Sequence, residues 1–208
     1  MKNVAVFLAP GFEEIEALTP VDYLRRAGVN VIMVSVPETG SEEMSYAVRG
    51  SHGITVFADT TLVEYLDEAD KALPDAVFFP GGLQGATHLA ANDDLRLLIQ
   101  RMDGEGKIVS SVCASPAMVL SRSGVLAGKK WTCYPGMNEN LSEYCGGEEA
   151  AKKLTEGASH VAGVPFVFDK NLLTGRGPGT AEQFSMKLVE LLSGEEVAKT
   201  IHDGSCLR

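Results

Sequence analysis

The chain has 208 residues, 45% of them hydrophobic and 22% charged, with a formal net charge of -10. That length and apolar content suit one globular domain over residues 1–208. The acidic balance, with no Lys/Arg-rich run, argues against nucleic acid or an anionic membrane surface as a partner, and no apolar run approaches the roughly 20 residues that span a bilayer. Cys113, Cys133, Cys145 and Cys206 are scattered, with no CxxC pair and no ligand-like spacing to the four histidines. A disulfide framework and a structural zinc site are therefore not expected, and a reducing, cytoplasmic compartment is.

Val4 to Ala9 is a short apolar run read as a buried strand; acidic residues follow too soon for a signal peptide. Pro10-Gly11 breaks it. From Glu13 the pattern turns helical, with Ile15, Leu18, Val21 and Leu24 at three-residue steps, acidic residues in the first turn, Arg25-Arg26 near the end and Gly28 as the cap. Val29 to Val36 is a second strand, which makes a βαβ unit with a parallel strand pair. Pro37 to Gly53 is polar and reads as a loop before a strand over Ile54 to Ala58, and Asp59 to Asp67 as a weak helix or a connection.

Asp75 to Phe79 is the next buried strand, ended by Pro80-Gly81-Gly82, and Asp93 to Met102 is a helix. Lys107 to Val112 is an apolar, β-branched run that stops at Cys113, where the first turns of a helix begin with Pro116 near its start. Gly128 to Pro135 resembles a short strand, Met137 to Cys145 and Glu148 to Thr155 are candidate helices, and Val161 to Phe168 with Leu172 to Thr174 form strands joined by a hairpin-like turn. Thr180 is expected to cap a helix carrying Phe184, Leu188 and Leu192, and Glu195 to Ile201 is a final amphipathic stretch. The alternation of strands and helices implies a doubly wound α/β sandwich with ligands at the carboxyl ends of its strands.

In such a sheet the strands ending at Ala9, Phe79 and Cys113 release their turns on one edge, which gathers Glu13, Glu14, Glu16, the Gly81-Gly82 turn and Cys113 in one crevice. Cys113 then sits on a strand-to-helix turn resembling a nucleophile elbow, with Ser111 and Ser115 in place of the usual glycines. Free N–H groups and the helix dipole there favour the thiolate. A cysteine ending a buried strand also serves as a small core residue, and this stretch alone leaves both readings open. With Ile15 and Leu18 taken to face the sheet, Glu16 lies nearest the apolar stripe, and Glu13 and Glu14 read as solvated first-turn residues. A carboxyl beside a thiolate is held protonated or shares its proton, because like charges in contact raise one pKa. The N–H groups of the Gly81-Gly82 turn and of Ala114 would form an oxyanion site.

Ala9-Pro10-Gly11-Phe12-Glu13-Glu14-Ile15-Glu16, Pro20-Val21-Asp22, Arg25-Arg26-Ala27-Gly28, Pro80-Gly81-Gly82, Val112-Cys113-Ala114 and Thr174-Gly175-Arg176-Gly177-Pro178-Gly179-Thr180 together resemble the ThiJ/PfpI family. Within it they are most similar to the Parkinson-disease-associated deglycase branch, over nearly the whole chain. The resemblance implies a flavodoxin-like three-layer sandwich with a mostly parallel sheet, and a homodimer. It implies a reactive cysteine at Cys113, a protonated glutamate at Glu16 hydrogen-bonded to the sulfur, and backbone donors at Gly82 and Ala114. Tyr134 precedes Pro135 where that branch commonly has a histidine; a tyrosine side chain donates a hydrogen bond but is a poor base at neutral pH. His52 falls where the branch has a pocket arginine, with a solvated loop residue as the plain alternative, and Arg26 matches an arginine that reaches the pocket from the partner subunit. His88 and His160 have no evident partner, His202 lies in the polar tail, and Cys133 is either a second thiol near the site or a core residue.

Two functions follow from different classes. The first is a cofactor-independent and metal-independent cysteine enzyme acting on a small carbonyl substrate, a 2-oxoaldehyde, or on the early glycation adducts of a glycated protein, with Cys113 as nucleophile and Glu16 moving protons. The second is a redox-sensing stress protein or chaperone that uses oxidation of Cys113 to a sulfinate. A cysteine peptidase or amidase is third, weakened because no histidine is placed as the base.

Overall fold

The computed structural model describes residues 1–41, 43 and 45–207. Glu42 and Met44, inside the stretch read as a loop, and Arg208 at the end of the polar tail lie outside the described residues. In chain order the elements begin with β1 (Asn3–Leu8), α1 (Glu14–Arg26), β2 (Asn30–Ser35), β3 (Ala47–Arg49), β4 (Thr55–Phe57), β5 (Thr60–Thr61) and α2 (Leu62–Ala69). The middle of the chain supplies β6 (Ala76–Phe79), α3 (Leu83–Ala91), α4 (Asp93–Gly104), β7 (Ile108–Val112), a π-helical turn Pro116–Leu120 and α5 (Ser121–Ser123). Then come β8 (Lys130–Trp131), α6 (Leu141–Cys145), α7 (Glu148–Leu154), β9 (Ser159–His160), β10 (Phe166–Asp169), β11 (Leu172–Gly175), α8 (Ala181–Ser193) and α9 (Glu195–Gly204).

Seven strands form the central sheet in the order β10-β11-β7-β6-β1-β2-β5. Every pairing is parallel except the β10–β11 hairpin at one edge, whose turn puts Lys170 at a φ of +58°. Period-2 alternation along β1 builds the two layers of core. Ala5 and Phe7 face one side, where Phe7 stacks on Phe79 at 5.1 Å and meets Tyr65 edge-on at 5.5 Å, under α2 and α4. Val4, Val6 and Leu8 face the other side with Leu24 of α1 and Phe184 and Leu188 of α8. The result is the α/β three-layer sandwich with a mostly parallel sheet that the pattern of elements implies, and no helix among the described residues is long and apolar enough to cross a membrane.

Several elements depart from the sequence reading. The stretch taken as a loop contains β3, which pairs with β4 in a small antiparallel hairpin outside the main sheet. Helix α3, which follows the Gly81-Gly82 turn directly, has no counterpart in the sequence reading because one glycine and three alanines dilute its apolar period. The short strand β8 pairs with β9 rather than joining the sheet. The Thr180 hydroxyl donates to the Gly177 carbonyl at 2.9 Å and does not cap α8. On α1 the buried stripe is Ala17, Pro20, Val21 and Leu24, and Ile15 is exposed.

Candidate active site

The carboxyl ends of β1, β6, β7 and β11 open onto one edge of the sheet. Cys113 follows β7 directly, in the left-handed region at a φ of +63°, a conformation a side-chain-bearing residue keeps only where its surroundings impose it. Its N–H donates to Gly175 O at 3.0 Å, and its carbonyl accepts from Tyr134 N at 2.9 Å. Ser115, two residues on, donates its hydroxyl to Pro80 O at 2.5 Å and so ties the cysteine turn to the Pro80-Gly82 turn. Behind it Pro116 opens a π-helical turn closed by Ser121 N–H on Pro116 O.

The Pro80-Gly82 turn is fastened just as tightly to α1. Gly81 N donates to Glu16 Oε2 at 2.8 Å, and Glu13 N donates to Gly81 O at 3.0 Å. Glu16 is completely buried, and its Oε1 has no nitrogen or oxygen donor; the group beside the carboxyl is the Cys113 thiol. Gly82 has a φ of +87° and is packed so closely on the Gly11-Phe12 backbone that only glycine fits. Its N–H and that of Ala114 lie on the sulfur's side of the turn and favour its thiolate.

Electrostatics couple the two central groups. Burial lifts Glu16 to about 7, with the charge of Glu13 adding to the rise, while the Cys113 thiol and the Gly81 N–H pull the other way. Burial also pushes the Cys113 thiol well above its ordinary value; the charge and hydrogen bond of Glu16 add to this, and the Gly82 and Ala114 N–H groups offset part of it. The sequence expectation that the turn would favour the thiolate is thus reversed, because desolvation and a neighbouring carboxylate outweigh the helix terminus. The pair resists carrying two negative charges and retains one proton at neutral pH.

A cavity of about 980 Å³ opens over the sulfur. It is bounded by Glu13, Glu14, Glu16, Gly82, Cys113 and Ala114, by His52 and Ile54 from the β3–β4 hairpin, and by the segment that carries Tyr134, Met137 and Tyr144. Tyr134 is half-exposed at its rim. Gly81 lies beneath, against both Cys113 and Glu16. Arg26 is not on this cavity; it is exposed at the far end of α1, where its Nε donates to Asp22 at 2.6 Å. Tyr144, Met137 and Ile54 were not foreseen as lining residues, since nothing in their local sequence marks them.

Glu14 is the main correction. It is buried rather than solvated, and it holds the hairpin tip against α1. Its Oε1 accepts from His52 N at 2.8 Å and Ile54 N at 3.4 Å, and its Oε2 accepts from the Ser51 hydroxyl at 3.2 Å and pairs with His52 Nδ1 at 3.0 Å. Burial pushes this carboxyl up, but the His52 side chain and backbone N–H donors outweigh it and hold it at about 2. Bound to Glu14, and 3.4 Å from Glu13, His52 binds its proton more tightly than an ordinary histidine. Ligand atoms of Glu13, Glu14 and His52 lie within 4.8 Å of one another, yet the Glu14 oxygens are committed to the hairpin, so the group acts as a clamp. Replacing Glu14 by alanine leaves these donors unsatisfied and is expected to cost about 1.5–3 kcal/mol in urea unfolding at pH 7. Because Glu14 ionises at about 2 in the fold against 4.5 ordinarily, its contribution is present above about pH 4.5 and fades towards pH 2, so the alanine variant should lack that part of the acid loss. Equal stability of the two proteins at pH 7 would rule the clamp out.

Two of the remaining histidines, His88 and His160, have structural partners. Thr39 N donates to His88 Nδ1 at 3.0 Å, and His160 lies edge-on to Trp131 with its Nε2 3.7 Å from the Cys133 sulfur. Cys133 is buried in the core, and burial pushes its thiol up to about 12.

Residues 2–191 match the model of the DJ-1/PfpI family. The chain is 34% identical over 203 residues to protein dj-1beta of Drosophila melanogaster, covering 98% of this chain and 96% of that protein. A deglycase of Pyrococcus abyssi is 27% identical over 190 residues, covering 91% and 99% respectively. The crystal structure of a cysteine-to-alanine mutant of a DJ-1 superfamily protein from Salmonella typhimurium superposes with a TM-score of 0.82 at 33% identity, over the full length of both chains. An elbow cysteine, a buried glutamate under it and a glycine turn between them thus lie on a scaffold shared along the whole chain, which belongs to the DJ-1/PfpI (ThiJ) family.

Proposed function

We propose that this protein is a cysteine-dependent enzyme acting on 2-oxoaldehydes or on the early glycation adducts they form with proteins. The observation that carries the reading is the direct pairing of Cys113 with a buried Glu16 lifted to about 7, a group able to give and take a proton at neutral pH. The deglycase name of the Pyrococcus abyssi relative supports it.

In this reading the Cys113 sulfur attacks the aldehyde carbon while Glu16 takes the thiol proton and passes it to the developing oxyanion, which the Gly82 and Ala114 N–H groups stabilise. The hemithioacetal isomerises when Glu16 removes the proton from the former aldehyde carbon and a proton is returned to the neighbouring carbon. The product of that shift is a thioester of a 2-hydroxy acid. Water hydrolyses the thioester, releasing the acid and the free thiol, so the net change is addition of one water with no external oxidant or reductant. Tyr134 serves as a hydrogen-bond donor at the cavity rim. Arg26, on the exposed end of α1, is proposed to reach the equivalent cavity of a second copy in a homodimer.

The test is lactate formation from methylglyoxal without glutathione. Cys113→Ser is expected to abolish it, and the wild-type rate to rise with pH through about 7 as Glu16 ionises. A wild type without turnover would refute the reading. The oxidation-sensing alternative keeps one specific support: the buried Glu16 carboxyl beside Cys113 has an oxygen, Oε1, without a hydrogen-bond partner. The peptidase reading has none, since His52, the histidine on the cavity, is bound to Glu14 rather than to Cys113.

A further inference from the structure

We propose that the cavity over Cys113 carries an apolar subsite, and that its preferred reactants are 2-oxoaldehydes whose ketone carbon bears an aryl or a long or branched alkyl group. The inference deepens the carbonyl-enzyme reading and rests on it for the reaction, but the subsite itself is a property of one wall of the cavity.

Of the large hydrophobic side chains exposed among the described residues, Ile15, Ile54, Leu83 and Tyr134 all line this one cavity. Scattered singly, exposed apolar residues need no explanation; gathered round one opening, they mark a binding surface. Leu83 is the plainest case, because at 66% exposure it contributes little to the core. It opens α3 and shares a helix face with Ala86 and Ala90, three and seven residues on. That face continues the wall below. Ala86, Ala114 and Met118 form a small apolar cluster distinct from the two core layers that flank the sheet, and Cys113, Met137 and Tyr144 pack against it. The apolar wall therefore extends from Leu83 at the mouth to the residue that carries the sulfur. It is complete within one chain: Arg26 of a second copy, proposed above to reach the equivalent cavity, would add a guanidinium there and replace none of these side chains.

Volume agrees with the wall. At about 980 Å³ the cavity is at the upper end of the range of small-molecule pockets, about 300–1,000 Å³, and far exceeds a three-carbon oxoaldehyde. Methylglyoxal offers this wall a single methyl group. A phenyl or isobutyl group in its place buries several times as much apolar surface. The reaction is unaltered by the exchange: R–CO–CHO and one water give the 2-hydroxy acid R–CHOH–COOH, with the thiol returned free after the thioester is hydrolysed.

The experiment reads the subsite without requiring turnover. The intact protein is treated with chloroacetone or with 2-chloroacetophenone, which present the same chloromethyl ketone on a methyl or a phenyl group. In each case the Cys113 sulfur displaces chloride to form a thioether, and the thiol proton passes to buffer. Both reagents are neutral, so the charge of the cavity does not enter. Labelling of the Cys113 peptide is followed by mass spectrometry, because Cys206 is also exposed, and each rate is divided by that of the same reagent with free 2-mercaptoethanol. The phenyl reagent is expected to exceed the methyl one by about tenfold or more. Leu83→Ser should shrink that ratio by about threefold, whereas Leu97→Ser, at a comparably exposed leucine on α4 away from this cavity, should leave it as it is. Neither substitution opens the core. A wild-type ratio near one, or an undiminished ratio in Leu83→Ser, overturns the proposal. Phenylglyoxal should likewise exceed methylglyoxal in kcat/KM. A protein that shows the labelling ratio yet turns over neither aldehyde upholds the apolar subsite and overturns the carbonyl-enzyme reading alone; one that turns over methylglyoxal with a labelling ratio near one overturns the subsite alone.

Discussion

Glutamine in place of Glu16 is expected to yield a protein that is more stable than the wild type above neutral pH and inactive on 2-oxoaldehydes. The carboxyl ionises at 4.5 ordinarily and at about 7 in the fold. Below about pH 4.5 it is protonated in both states and carries no penalty. As pH rises from there the unfolded chain ionises first, so stability falls, and the loss levels off above about pH 7. A shift of that size corresponds to about 3 kcal/mol, an upper bound because buried charges relax their surroundings. Glutamine keeps the acceptor for the Gly81 N–H and cannot ionise. Its melting temperature should therefore exceed the wild type's by several degrees at pH 8 and match it near pH 4. Turnover should fall by a factor of about 10² to 10⁴, the usual yield of a positioned acid-base group. A variant less stable than the wild type at pH 8 would mean that Glu16 is not held against its preferred ionisation.

Gly81→Ala is expected to separate folding from chemistry. A Cβ at that position would lie 2.4 Å from Glu16 Oε2, 2.6 Å from Cys113 Cβ and 3.1 Å from its sulfur. None of these neighbours can yield cheaply: Glu16 is enclosed on α1, and Cys113 is fixed on a strained turn. The methyl group must drive the carboxyl and the thiol apart, at a cost of about 1–3 kcal/mol for overpacking. Such a displacement is expected to lower turnover by about 10²-fold or more. Gly82→Ala should be worse for folding, because its Cβ would meet backbone, 2.3 Å from Gly11 O, at a φ of +87°. Thermal melting combined with the lactate assay checks both. Wild-type turnover in Gly81→Ala would show that the contact between Cys113 and Glu16 is not what the chemistry uses.

How far the sequence alone reached depends on what kind of signal each element leaves. β1, β6 and β7 are short apolar runs ended by Pro-Gly, Pro-Gly-Gly and Cys113, and parallel-sheet topology then brings their ends together, so the crevice is legible in the sequence. For Glu16 the sequence offers only the apolar stripe of its helix, which is not what buries it. Ile15 is exposed rather than buried, and Glu16 is interior because it lies under the Gly81 turn. Glu14 was misread because its partners, Ser51 to Ile54, are about forty residues away in a hairpin whose strands are three residues each, too short to show a period. The direction of the Cys113 titration was misjudged for a related reason: a turn geometry is local, but the desolvation that overrides it is set by the whole fold.

The most direct test of the central idea, that Cys113 and Glu16 act as one proton-sharing unit, is the pH dependence of iodoacetamide alkylation at Cys113 in the wild type and in Glu16→Gln. The wild-type rate should climb to a plateau with an apparent pKa of about 7, the value at which Glu16 becomes able to accept the thiol proton. The glutamine variant should show no such step and rise steadily towards alkaline pH. Superimposable profiles for the two proteins would contradict the coupling, and with it the mechanism built on it.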